Sequence, residues 1–182
     1  MTTFISILRG INVSGQKRIK MDALRKMYEN LGFRNVTTYV QSGNVVFTSN
    51  GIEINALEQT ISRQIEKDFG FDVPVIVLMA DNLKQIIDNN PFAKNPNKDP
   101  AFLHVTFLSS KSDCCDFKTI KDKKQPEEDV FFTDKAVYLY CPNGYGQTKL
   151  TNNFLESKLK VTTTTRNWKT TNELLKISGQ EN

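Results

Sequence analysis

Residues 36–49, VTTYVQSGNVVFTS, carry the strongest fold signal in the chain. β-Branched and aromatic residues dominate Val36–Gln41 and Val45–Ser49, which is typical of β-strands. The segment Ser42-Gly43-Asn44 between them tolerates the positive φ angles that tight turns require. This stretch therefore predicts two antiparallel strands joined as a β-hairpin.

One strand and one helix are predicted on each side of this hairpin. Before it, Thr3–Leu8 is rich in Phe and Ile, and Met21–Leu31 has apolar residues three or four positions apart. These patterns indicate a buried strand followed by an amphipathic helix. After the hairpin, Ile54–Phe69 has the same helical spacing and stops at Gly70, and Val73–Leu78 is a short apolar strand. The order βαββαβ is that of the ferredoxin-like, or split βαβ, arrangement.

The same order of elements is predicted a second time, after a connector at residues 80–101. The connector contains a short helix that we expect Asp81 to cap, followed by Pro91, Pro96 and Pro100. Strands then follow at Phe102–Leu108, Val130–Thr133, Ala136–Tyr140 and Thr162–Thr165, with helices near Asp113–Ile120 and at Leu150–Leu159. A last helix begins after Asn167, a favourable N-cap residue. We therefore predict an α+β protein with two ferredoxin-like subdomains, residues 1–79 and 102–182, and an extra C-terminal helix.

The composition is that of an ordinary globular protein. The 182 residues are 38% hydrophobic and 24% charged and carry a net charge of +4, which excludes collagen, coiled coil and disorder. The cysteines, Cys114, Cys115 and Cys141, do not form the disulfide framework of a small secreted domain. No apolar run approaches the length of a signal peptide core or a membrane span. We expect a cytoplasmic protein with no membrane partner.

The first candidate ligand site is the loop RGINVSGQKR, residues 9–18, between the first strand and the first helix. Its glycines allow backbone N–H groups to turn toward an anion, and its basic residues add positive charge. The candidate residues here are Arg9, Gly10, Asn12, Gly15, Lys17 and Arg18. The glycine spacing is that of neither a P-loop nor a dinucleotide fingerprint. The alternative is a structural turn with solvated charges.

Three further polar segments are candidates for ligand binding. Ser42 and Asn44 at the hairpin tip would point polar groups into a cleft, although any tight hairpin needs such residues. The loop Pro142–Lys149 leads into a helix whose N-terminal N–H groups suit an anion, and it contributes Gly146, Thr148 and Lys149. The alternative to an anion site in this loop is a flexible connection after a hairpin.

The third of these segments is Arg166-Asn167-Trp168. It combines a guanidinium fork with the only tryptophan, a pair suited to a nucleobase, a phosphate or a partner protein. Its alternative is a tryptophan that anchors the last helix in the core beside an arginine paired with a carboxylate.

The sequence identifies no cofactor, metal site or acid–base pair. His104 is the only histidine and lies in a predicted strand, with no nucleophile motif near it. Cys114-Cys115 lacks the Cys-x-x-Cys spacing of zinc and thioredoxin sites, and we expect both cysteines to be inert helix residues. We expect Glu127-Glu128-Asp129 to be a solvated turn.

Several motifs together resemble the bacterial family called domain of unknown function 1697. They are Leu8–Val13 followed by Met21, Thr38-Tyr39, Gln41–Phe47, Tyr145-Gly146 with Lys149-Leu150, and Thr164–Trp168. The likeness spans essentially the whole chain, although Ser14 stands where the family typically has another glycine. The resemblance implies an α+β fold of two ferredoxin-like parts. It implies no activity and no catalytic residues.

Three functions follow as hypotheses. The first is binding of a phosphorylated small molecule or nucleotide in a cleft between the subdomains, where the two basic loops would meet; catalysis is left open. The second is binding of RNA, because ferredoxin-like sheets are a common RNA platform, although only Phe47 supplies a ring in the expected strand. The third is a regulatory or assembly module that acts through sheet edges or the C-terminal helix. The sequence does not determine the oligomeric state.

Overall fold

A computed structural model describes residues 1–51, 53–113 and 116–179. The chain divides into two compact units: unit 1 comprises Met1–Lys84 and the residues from Leu174 onward, and unit 2 comprises Gln85–Glu173. Each unit contains a four-stranded antiparallel sheet with the predicted βαββαβ order. The subdomain limits at residues 79 and 102 stay predictions. Within the described ranges, every helix is too short or too polar to cross a membrane.

Unit 1 is built around a central first strand. Its elements are β1 (Thr2–Leu8), α1 (Met21–Asn30), β2 (Arg34–Tyr39), β3 (Asn44–Ser49), α2 (Ile54–Phe69) and β4 (Val75–Met79). The strand order is β2-β3-β1-β4, and all neighbours are antiparallel. β3 therefore lies between β1 and β2, which confirms the split βαβ arrangement. Gly70 ends α2 with a φ of 76°, as its position in the sequence predicts.

The core of unit 1 lies between its sheet and its two helices. Buried side chains from all of these elements form it, among them Phe4, Leu24, Phe47, Leu57 and Ile61. The hydroxyl of Tyr28 forms a hydrogen bond of 2.7 Å with that of Ser6, and its ring meets Phe47 edge to face. Burial raises the pKa of Tyr28, so the phenol stays protonated and satisfies its polar atom inside the core.

Unit 2 repeats this architecture. After α3 (Ala80–Asp88), which begins one residue before Asp81, come β5 (Leu103–Leu108), α4 (Phe117–Lys123), β6 (Asp129–Phe132), β7 (Ala136–Tyr140), α5 (Asn152–Leu159) and β8 (Thr163–Asn167). The strand order is β6-β7-β5-β8. α6 (Trp168–Ile177) is the predicted C-terminal helix. The Asn167 side chain accepts a hydrogen bond from the Thr170 N–H at 2.7 Å, which confirms Asn167 as the N-cap.

The same two backbone hydrogen bonds occur within each unit, at the equivalent point of the fold. The N–H of Leu8, the last residue of β1, donates to the Gly43 carbonyl at 2.8 Å, and the N–H of Leu108, the last residue of β5, donates to the Lys135 carbonyl at 3.1 Å. The next residue in each unit donates to the residue before the last strand: Arg9 to Pro74 at 3.0 Å and Ser109 to Thr162 at 2.9 Å. The repeat that the order of elements predicts thus extends to individual backbone hydrogen bonds.

Gly43 is the tightest point of this junction. It has a φ of 83°, and a Cβ added there would lie 2.6 Å from Cδ1 of Ile11 and 2.8 Å from Cβ of Leu8. Both the backbone conformation and the lack of space therefore require glycine.

We expect Gly43→Ala to lower the free energy of unfolding by at least about 2 kcal/mol, because the added methyl group is both overpacked and strained. Gly32→Ala is the matched control, because Gly32 has a φ of 86° but no atom within 4 Å of the added Cβ. That control measures only the cost of placing alanine at a positive φ angle, which is about 1 kcal/mol. Urea unfolding of both variants tests this, and equal losses would contradict it.

In each sheet, a glutamate side chain accepts a hydrogen bond from one edge strand: Glu58 of α2 binds β4, and Glu156 of α5 binds β8. In unit 1, Glu58 Oε1 accepts a hydrogen bond from the Val77 N–H at 2.9 Å. In unit 2, Glu156 Oε1 accepts one from the Thr163 N–H at 2.8 Å. An outward N–H of an edge strand is a point where another strand can pair, so these carboxylates protect the edges of β4 and β8.

Burial raises the pKa of Glu58 above its ordinary value, although the bond from Val77 opposes this. The folded state therefore binds this proton more readily than the unfolded chain, so the ionised carboxylate lowers stability at neutral pH.

We expect Glu58→Gln, which keeps an acceptor for Val77, to be at least as stable as the wild type at neutral pH. The difference should shrink as the pH falls through the raised pKa of folded Glu58 and be gone below the ordinary pKa of a glutamate. Glu58→Ala, which removes the acceptor, should cost about 1 kcal/mol. Urea unfolding across pH tests this; a glutamine variant as unstable as the alanine variant would contradict it.

Candidate functional site

The loop between β1 and α1 is folded around the side chain of Asn12. Its Nδ2 donates to the carbonyls of Ile19 at 3.0 Å and Gln41 at 2.8 Å, and its Oδ1 accepts from the Ile19 N–H at 2.9 Å. Asn12 has a φ of 54°, a conformation that asparagine tolerates better than most residues. One amide thus joins the end of the loop to the tip of the β2–β3 hairpin, and the first two candidate segments lie together.

A tight reversal at Val13–Gln16 forms the outer part of the loop. The Gln16 N–H donates to the Val13 carbonyl at 2.9 Å, and Ser14 and Gly15 between them have φ angles of 49° and 75°. Two consecutive positive φ angles are typical of a type I′ turn, which favours Asn or Gly. Ser14, the departure from the family pattern, therefore occupies a position where glycine is easier to accommodate. The turn leaves Val13 57% exposed.

Two basic residues of the loop, Lys17 and Arg18, are held by backbone carbonyl groups. Arg18 Nε donates to the Gly15 carbonyl at 3.1 Å, and the Lys17 ammonium donates to the Asp72 carbonyl. The guanidinium of Arg18 lies so close to Gly15 that an added Cβ would be 3.2 Å from its terminal nitrogen. Because a carbonyl carries no net charge, these bonds fix the two side chains without cancelling their positive charge.

A depression of about 460 Å³ opens beside this loop. Its lining residues are Asn12, Gly15, Arg18, Ile19, Lys20 and Gln41. Two of them are cations, two are amides and none is acidic, so the depression favours an anion. Asn12, Gly15 and Arg18 were predicted from the sequence. Lys20 was missed, although it continues the same basic run.

The remaining candidates of unit 1, Arg9, Gly10, Lys17, Ser42 and Asn44, do not line the depression. Asn44 is buried, and its Nδ2 donates to the Tyr39 carbonyl at 2.9 Å and to the Ser42 hydroxyl at 3.1 Å, which holds the hairpin tip. Gly10 has a φ of 73° at the start of the loop, and the Arg9 N–H is bonded to Pro74. Ser42 and Asn44 thus hold the hairpin tip, and a role of these remaining candidates in ligand binding stays a prediction.

In unit 2, the loop Pro142–Lys149 does not enter a helix at Leu150. α5 begins two residues later, and its N-cap Thr151 accepts from the Phe154 N–H at 3.2 Å. Thr148 is buried, and its hydroxyl accepts from the Leu150 N–H at 3.1 Å. Gly146 lies in an exposed 3₁₀ turn and Lys149 is exposed. The side chains of Thr148 and Thr151 therefore already bind N–H groups that the prediction offered to an anion.

The segment Arg166-Asn167-Trp168 is also used by the fold. Arg166 is only 9% exposed, and its guanidinium donates to the Thr164 hydroxyl at 3.1 Å and the Thr165 carbonyl at 2.9 Å. Burial lowers the pKa of Arg166 to about 10, although the Tyr145 phenol opposes this. Asn167 caps α6, and Trp168 is half-buried in its first turn. Their role in ligand binding stays a prediction.

Three residues of unit 2 have surroundings that the sequence did not indicate. His104 stacks on Tyr145 with ring centroids 4.7 Å apart, and burial lowers its pKa. The prediction of a solvated turn is wrong for Glu128, which is buried and accepts from the Gln125 N–H at 2.9 Å. Burial, together with Glu128, raises the pKa of the Cys141 thiol to about 12, so this cysteine is unreactive.

The prediction for Cys114 and Cys115 falls outside the described residues. Elsewhere in the described ranges, no three His, Cys, Asp or Glu side chains come together in a group that would hold a metal ion.

Comparisons with known proteins agree with this architecture. In structure, the chain is similar to the conserved bacterial protein SP0830 from Streptococcus pneumoniae, with a TM-score of 0.70 and 22% identity, over 97% of this chain and 98% of that one. At this identity the match shows a shared fold alone. No match was found among curated proteins. Residues 1–138 match the family described as protein of unknown function (DUF1697). Because this match spans well over half of the sequence, the chain belongs to the DUF1697 family.

Proposed function

We propose that unit 1 binds a phosphorylated small molecule or nucleotide in the depression beside the β1–α1 loop. One observation carries the proposal: Arg18 and Lys20 line the depression together with the amides of Asn12 and Gln41, and no lining residue is acidic. Phosphate oxygens only accept hydrogen bonds, and the Arg18 guanidinium, the Lys20 ammonium and the Gln41 side-chain amide are donors suited to them. The two N–H groups of the Asn12 amide are already bonded to Ile19 and Gln41, so Asn12 positions the loop and does not donate to the ligand. We also expect the protein to act in the cytoplasm.

The loop is organised before a ligand arrives. The Asn12 amide fixes the loop to the hairpin through Gln41, so the cations do not have to be brought together on binding. Arg18 has five N–H donors, of which Nε–H is used by Gly15, and the terminal nitrogens can bind two phosphate oxygens side by side. This arrangement supports recognition of a phosphate group rather than attraction by net charge alone.

The structure favours this hypothesis over RNA binding. In unit 1, the register places Ile5, Val46 and Leu78 side by side on the sheet face opposite α1 and α2, and all three are buried. The middle of this face is therefore aliphatic and buried, whereas the sheets that bind RNA present exposed aromatic rings for base stacking. The meeting of basic residues from both units, and the assembly hypothesis, stay predictions.

We expect Arg18→Gln and Lys20→Gln each to weaken binding of AMP or glucose 6-phosphate by about tenfold, because each removes a charged hydrogen-bond donor. Lys26→Gln is the matched control, because Lys26 is an exposed cation on α1 that does not line the depression. Thermal shift with both phosphates and with a short RNA measures the effect. Stabilisation by the RNA only, or equal weakening by Lys26→Gln, would contradict the proposal.

Asn12→Gly tests the role of the amide by itself, because glycine adopts a φ of 54° without strain. We expect faster hydrogen exchange at the Ile19 N–H, which loses its acceptor, and weaker binding of the same phosphates. The core amides of β1 should exchange as slowly as in the wild type. Unchanged exchange at Ile19 would show that the amide does not hold the loop.

A further inference from the structure

The two units differ at one equivalent junction, where the first strand ends beside the hairpin tip. In unit 1 this space is filled by the chain, because Ile11 is buried against Leu8 and Gly43. In unit 2 the same junction is marked by the hydrogen bond from Leu108 to Lys135. An open pocket of about 210 Å³ lies beside it. The junction thus carries a buried isoleucine in unit 1 and adjoins an open pocket in unit 2.

The pocket of unit 2 is mainly apolar. Five of its lining residues are Leu108, Phe117, Phe132, Val137 and Leu159. Phe117 and Phe132 contact one another with ring centroids 4.4 Å apart. An apolar cavity of about 150 Å³ in another protein is large enough to hold benzene, so this pocket has room for a phenyl group or a branched aliphatic chain. Its size and lining suit the side chain of a hydrophobic amino acid.

The polar groups at the pocket are of two kinds: two hydroxyl groups that are bonded within the fold, and a charged pair that is exposed to solvent. The Ser112 hydroxyl donates to the Leu159 carbonyl, and the Thr133 hydroxyl accepts from the Ala136 N–H at 3.0 Å. Asp134 also lines the pocket, and its carboxylate pairs with the Lys111 ammonium at 3.1 Å. Both of these side chains are about two-thirds exposed, at 66% and 69%, so their ion pair is weak and open to exchange.

We propose that this pocket binds a free hydrophobic amino acid. The side chain would occupy the apolar space, the α-ammonium group would bind Asp134 and the α-carboxylate would bind Lys111. An ion pair at the mouth of an apolar pocket matches a zwitterion with an apolar side chain, because each charge of the ligand meets its opposite. The site lies within unit 2 and is independent of the anion site proposed for unit 1.

The test compares L-phenylalanine with two analogues that each lack one charge, 3-phenylpropanoate and 2-phenylethylamine. Titrations followed by amide chemical shifts should show L-phenylalanine binding about threefold to fivefold more tightly than either analogue, the effect expected of exposed charge pairs. Asp134→Asn should lower the affinity for L-phenylalanine to the affinity that the wild type has for 3-phenylpropanoate. Equal affinities of all three compounds for the wild type, or no shifts at millimolar L-phenylalanine, would overturn the proposal.

Two phenylalanine variants locate the site. Phe117 lines the pocket and is 37% exposed, whereas Phe131 neighbours Phe132 on the same strand, faces the other side of the sheet and is 46% exposed. Both are partly in solvent, so their truncation should leave the fold intact. We expect Phe117→Ala to weaken binding of L-phenylalanine at least threefold, and Phe131→Ala to leave it unchanged. Equal losses in the two variants would place the binding elsewhere and overturn the assignment.

Discussion

The close approach of Gly43 to Leu8 and Ile11 determines how unit 1 presents its loop. No side chain fits between these residues, so the hairpin tip lies directly against the end of β1. This approach brings the Gln41 carbonyl within 2.8 Å of the Asn12 amide. The geometry of the loop therefore depends on a glycine in the neighbouring hairpin as much as on the glycines of the loop itself.

The regular elements of both units were predictable because their signals are local. α2 was found at Ile54–Phe69, where the apolar spacing and Gly70 place it. Strand limits were less accurate: β2 begins at Arg34, two residues before the predicted start, because Asn35, with a φ of 51°, lies where the β2–β3 register shifts. A bulge adds a residue and interrupts the alternation of faces, so the part of the strand before it is not recognised from the apolar pattern.

The site was predictable only in part because its contacts join residues that are distant in sequence. Asn12 was identified as a polar loop residue, but its partner Gln41 is 29 residues away, and nothing in the sequence links the two. The same reason hid Gln41 as a lining residue. Glu128 was misjudged for a related reason: an acidic triplet usually marks a solvated turn, yet this carboxylate is buried and accepts a backbone N–H of its own turn.

The repeated fold accounts for how one chain could offer the two chemically different sites that we propose. In both units the first strand ends with the same hydrogen bond to the hairpin tip, so the scaffold at this point is equivalent. What differs is the connection that follows. In unit 1 it is long enough to bury Ile11 and Ile19 and then present Arg18 and Lys20 to solvent. In unit 2 a mainly apolar pocket lies beside the junction, and Asp134, one of its lining residues, pairs with Lys111 of the connection. We therefore expect the connection after the first strand to determine the ligand chemistry of each unit, because the sheet and the helices only fix where that connection lies.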